Sequence, residues 1–142
     1  MNSDFKKCLD DRKLVVFKAS SVMIEKELKS AAYDLKRARI SLSENDAKWA
    51  TIQGYYAMFH TARALIYTKG YREKSHRCLA IALKELFVDQ GKLPTEYLNH
   101  LKDAMDLRED ADYGFIYDDE SAKNIIDRAD KFLNYAKSLL NI

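Results

Sequence analysis

Ile24, Leu28, Ala31, Leu35, Ala38 and Leu42 follow one another at steps of 4, 3, 4, 3 and 4 residues. That spacing lays every apolar side chain along one stripe of an α-helix, and no strand can satisfy it, because strand faces alternate at each residue. Lys26, Lys29, Lys36, Arg37 and Arg39 fill the intervals, so the helix has one buried and one wet face. Ser20 or Ser21 can cap its start. Such a stripe needs other helices to cover it. With only four Gly and one Pro in 142 residues, the chain has too few turn formers for a sandwich or barrel.

The other segments repeat the pattern. After Asn45 or Asp46, either of which can cap a helix, Trp49, Ile52, Tyr56 and Phe59 form one stripe and Tyr55, Met58, Ala62 and Leu65 another. Apolar character nearly all round marks a central helix, with Gly54 and Ala57 small enough for a neighbour to come close. Gly70 sits where a glycine ends a helix. Ser75 can cap a helix carrying Leu79, Leu83, Leu86 and Phe87, stopped at Gly91. Pro94 opens another, with Leu98, Leu101 and Met105 inward. The last, led by Asp118, Asp119 and Glu120, carries Ala122, Ile125, Ala129, Phe132, Ala136 and Leu139. The expected fold is all-α: an antiparallel up-and-down bundle of four main helices plus one or two short ones, including one near residues 3–11. The length fits one domain, and the chain, beginning with Met and ending without a linker or tag, reads as a complete small protein.

A net charge of +2 does not by itself mark a nucleic-acid binder. The distribution is uneven: residues 1–71 carry a surplus of +5 and residues 72–142 a deficit of −3. Lys69 to Arg77 is a basic cluster, read either as a solvated face or as a surface for an acidic partner or phosphate. Cys8 and Cys78 have no second pair and suggest small buried thiols in a reducing compartment. No apolar leader opens the chain, and the longest uncharged run, Trp49 to Ala62, is too short to span a bilayer. The expectation is a cytoplasmic protein off the membrane.

Chemistry in a bundle sits where polar side chains point inward. Tyr56, His60, Arg63 and Tyr67 are spaced 4, 3 and 4 apart on the central helix and share one face. Arg108 and then Asp112 continue the buried stripe of Leu101 and Met105. There Arg108 needs an anion, either Asp112 at the helix end or a bound phosphate. His60, His76 and His100 make no zinc pattern, so no metal or cofactor is expected. Ser75 beside His76 is read as a cap.

The run Ile52-Gln-Gly-Tyr-Tyr-Ala-Met-Phe-His-Thr-Ala-Arg-Ala-Leu65 closely resembles the YYAMFHAARALL helix of HEPN-domain proteins. Gly70–Arg77 is similar to the GY-x-x-KSHR turn of a prokaryotic branch of that family, and Leu107–Gly114 to its LRE-x-ADYG segment. The resemblance covers about residues 20–140. It implies an all-α bundle that dimerises and is paired genetically with a minimal nucleotidyltransferase, as in toxin–antitoxin modules. It also implies binding of a nucleotide or RNA phosphate, and, in many members, metal-independent ribonuclease activity through an R-x4–6-H motif. Arg108 matches the motif's Arg, while the matching windows end on Tyr113, Gly114 and Phe115 rather than His. That departure favours a binding or adaptor role over cleavage, unless His60 or His76 supplies the imidazole; Tyr113 can donate a proton but is a poor base at neutral pH. The expected site is Arg108, Asp112, Tyr113, Tyr56, His60, Arg63 and His76, with Arg108 near Asp112, His60 or Arg63 on the facing wall, and the Arg108 of a second copy across the groove.

Overall fold

A computed structural model describes residues 2–142. The four long helices are α2 (Ser21–Ser43), α3 (Ala47–Thr68), α5 (Thr95–Tyr113) and α6 (Asp119–Leu139). Two short ones, α1 (Ser3–Asp10) and α4 (His76–Leu83), complete the all-α bundle read from the sequence. Of the alternatives at the starts of α2 and α3, Ser20 and Asp46 are the caps. Ser75 caps α4 as expected, and Asp118, read as helix-end charge, also caps α6. Each accepts a hydrogen bond from a backbone N–H three residues on.

The helix α3 is the central post, packed on α2, α6, α5 and α4. Its apolar surround therefore has a structural cause. At Gly54 a Cβ would stand 2.6 Å from Ile125 Cγ2, so the absent side chain sets the distance between α3 and α6. Trp49 departs from the expected stripe: it lies at the exposed start of α3.

Three features were not anticipated. Leu14–Val16 (β1) and Tyr71–Glu73 (β2) pair as an antiparallel ribbon, with Val15 opposite Arg72. The helix that begins at His76 widens into a π-helical stretch at Lys84–Val88 before Gly91. Cys8 and Cys78 are buried, as expected, but are bonded to each other rather than free, tying α1 to α4. The pairing is invisible in the spacing because the residues lie 70 positions apart and only the packing of α1 on α4 brings their Cα atoms to 5.9 Å.

The sequence makes Tyr33, Tyr67 and Tyr71 candidates for an exposed dimer surface, but only Tyr33 is exposed: Tyr67 is buried against Phe17, and Tyr71 packs edge-on to Phe5. Exposed apolar side chains gather instead at the end of α5 and just after it, at Tyr113, Phe115, Ile116 and Tyr117, with Lys48 bridging Phe115 to Trp49. Among the described residues, no helix is long and apolar enough to cross a membrane.

Candidate anion site between α3, α4 and α5

The polar face of α3 divides into two sites. Its lower part, His60 and Arg63, is taken up by carboxylates. His60 Nδ1 donates to Glu27 Oε2 at 2.6 Å, and Nε2 lies 3.5 Å from Asp34 Oδ2. Arg63 donates from Nε and Nη2 to the two oxygens of buried Glu73, at 2.9 and 2.6 Å, and its Nη1 lies 3.5 Å from Glu27. Burial alone would raise the Glu27 carboxyl, but the hydrogen bond and charge of His60, with the charge of Arg63, hold it below its ordinary value. This network joins α2, α3 and β2.

The upper part belongs to Arg108. One turn before the end of α5, its Nη2 donates to Tyr56 Oη at 2.9 Å. Its guanidinium lies 5.5 Å from the Tyr56 ring centre and 5.9 Å from those of Tyr55 and Tyr113. Among the described residues it has no carboxylate within ion-pair distance, and its Nε is buried without a hydrogen-bond partner. The expected closing pair with Asp112 does not form: Asp112, the next turn along, makes no ion pair with it.

His76, the first residue of α4, completes the cluster. Its ring stacks on Tyr55 at 5.6 Å and lies edge-on to Tyr56 at 6.3 Å. Its Nδ1 is 2.6 Å from Tyr55 Oη. Tyr55 is fully buried, and burial pushes its phenol far above its ordinary value, so it keeps its proton. That hydroxyl has no other partner among the described residues, so it donates to Nδ1 and leaves the proton of a neutral ring on Nε2. Burial, and then the charge of Arg108, hold the His76 imidazole below its ordinary 6.5.

Arg108, Tyr56, Tyr113 and His76 are thus brought together as the sequence suggested, and His60 and Arg63 are not on the facing wall. Tyr55 joins the site although the spacing of the polar residues does not include it. Its signal is the Tyr55-Tyr56 doublet: adjacent positions on a helix are about 100° apart, so one ring can fill the core while the other reaches the rim.

The class defined here is a helical bundle that gathers a guanidinium without a carboxylate partner, an imidazole and three phenols between three of its helices. The particular family follows from comparison. The HEPN domain model matches residues 24–139, and the chain belongs to the HEPN family. It is 30% identical over 118 residues, 82% of this chain and 88% of the relative, to a Methanocaldococcus jannaschii protein named "Putative toxin MJ0605". A second protein of that organism, "Putative toxin MJ0142", is 25% identical over 82% of this chain and 81% of its own length. A "UPF0332 protein" of Archaeoglobus fulgidus is 38% identical over 61% of this chain and 70% of its own.

Proposed function

We propose that this chain acts as one HEPN domain of a toxin–antitoxin type module, in which Arg108 receives a phosphate of RNA or of a nucleotide. The observation that carries this reading is the unpartnered Arg108 Nε. Arg108 is only partly buried, but its buried Nε–H forgoes a hydrogen bond that an anion reaching the guanidinium would supply. The Nε2–H of neutral His76 and the hydroxyl of Tyr56 are further donors to the same oxygens. We also propose a cytoplasmic location, where RNA is met, and a homodimer with the two Arg108 clusters facing. Supporting the dimer, the exposed group from Tyr113 to Tyr117 adjoins Arg108 and is larger than scattered surface residues require. A minimal nucleotidyltransferase is the proposed partner, on the strength of the family resemblance.

The second reading is metal-independent RNA cleavage, and the observation in its favour is His76 on the same two tyrosine rings as Arg108. A bound phosphate would offset the charge of Arg108 and let His76 take a second proton, making it a general acid for the leaving 5′-oxygen. No base of suitable strength faces it in this cluster, which keeps binding ahead of cleavage.

Fluorescence anisotropy with single-stranded RNA tests both. Arg108→Ala should weaken binding roughly ten- to a hundredfold, the loss of a charged hydrogen bond, while circular dichroism stays helical. Equal binding by both proteins would refute the Arg108 site. In chelator, products ending in 2′,3′-cyclic phosphate from the parent protein but not from Arg108→Ala would establish the second reading.

A further inference from the structure

A cleft of about 620 Å³ opens between the β ribbon and α3, and His76 forms part of its wall. That size falls within the roughly 300–1,000 Å³ of small-molecule sites. Because His76 and Phe59, both in its wall, each touch Tyr55 and Tyr56, the cleft meets the Arg108 cluster along these two rings.

The charges in the cleft do not cancel. Arg63 and Glu73 neutralise each other through their paired hydrogen bonds. Arg72 and Lys74, successive outward positions at the end of β2, are exposed and have no carboxylate within ion-pair distance among the described residues. Two free cations therefore overlook the opening. Its remaining surface is Val15 and aromatic rings. The Arg72 guanidinium lies 5.4 Å over the Phe17 ring, and the Phe59 ring is 4.7 Å from that of His76. Cations beside π faces suit a ligand that alternates phosphate with a planar base, and only an unpaired strand can offer its base faces in this way. An acidic peptide would satisfy the cations and leave the rings unused.

We propose that this cleft holds the nucleotide adjoining the one bound at Arg108, so that the protein grips single-stranded RNA across at least two nucleotides, with Arg72 and Lys74 on phosphate and a base against Phe17. The proposal rests on the reading of Arg108 as a phosphate site. The ribbon, rather than the helical bundle, then sets how long an RNA must be to bind well.

The test compares uridine monophosphate with fluorescent tetrauridylate against the full chain, Arg72→Ala/Lys74→Ala, Phe17→Leu and Arg108→Ala. The two cations are exposed, so their removal should leave the circular dichroism unchanged. The double variant should bind tetrauridylate about tenfold more weakly, with the monophosphate unaffected. Its salt dependence should be shallower, by about 0.7 for each phosphate no longer neutralised. Phe17→Leu, which keeps the packing on Tyr67, should lower affinity without changing the salt slope. If the ribbon variants bind tetrauridylate normally while Arg108→Ala does not, the cleft is overturned and the Arg108 site stands. If the reverse holds, the cleft binds RNA without Arg108, and both the Arg108 site and the two-nucleotide grip are overturned. A parent protein that binds neither probe overturns both, and polyglutamate competing as well as RNA assigns the cleft to an acidic segment and overturns the nucleotide proposal.

Discussion

Arg63 and Arg108 stand on different helices with similar surroundings of aromatic rings, and their partners make them opposites. Arg63 has buried Glu73 and is a structural tie between α3 and the ribbon. Glu73→Gln would keep the shape and remove the charge, leaving half-buried Arg63 with only the more distant Glu27 at 3.5 Å. The expected loss is about 2–3 kcal/mol, read as a lower midpoint in denaturant at unchanged slope. His76 gives a pH dependence. Because burial and Arg108 hold its folded value below 6.5, the unfolded chain binds the proton more readily. Its contribution is fully present above about pH 6.5 and is lost as the pH falls towards the folded value. His100 is lowered in the same direction, by burial and then by Arg128, so the two must be separated. The difference between the stability curves of the parent and His76→Gln should slope in that window and be flat above it. The polar residues are legible in sequence because they interrupt apolar stripes, which is how Tyr56, His60, Arg63 and Arg108 stand out. Their partners are not: Glu27 and Glu73 lie on other elements, and nothing in the spacing tells that one arginine meets an acid and the other none.

At the scale of elements, the helices are legible and their junctions are not. A heptad stripe over α2 or α6 carries many residues of agreement, whereas the ribbon has three residues in each strand and no room for an alternating pattern. Its position depends on Gly70, whose φ of +84° turns the chain from the end of α3 into β2. The π-helical stretch is equally silent, since Leu86 and Phe87 read as inward on an ordinary helix. The tight approach of α3 to α6 falls at Gly54, a position whose small size is visible in sequence while its neighbour is not. Gly54→Ala should force Ile125 out of place and lower the thermal midpoint, at a cost of about 1–3 kcal/mol, despite the better helix propensity of alanine. A midpoint raised by the substitution would mean that α3 and α6 do not approach as described.

The whole molecule presents its exposed aromatic group at one end, where α5 passes into α6. If that group is covered by a second copy, sedimentation velocity at tens of micromolar protein should show a dimer, at a concentration chosen as ordinary for obligate pairs. Phe115→Ser/Tyr117→Ser should shift it towards monomer without loss of helix; a parent protein that sediments as a monomer would refute the dimer. The bond between Cys8 and Cys78 acts on the chain in another way. It turns the polypeptide into a lasso: α2, α3 and both strands lie within a closed ring, and α5 and α6 hang from it as an arm. His76 belongs to the ring and Arg108 to the arm. When the oxidised chain unfolds, the ring's ends stay joined while the arm is tethered at one point, so nothing covalent keeps Arg108 near His76. Regaining the site is then a matter of one tethered arm finding its seat on a chain that never fully spread.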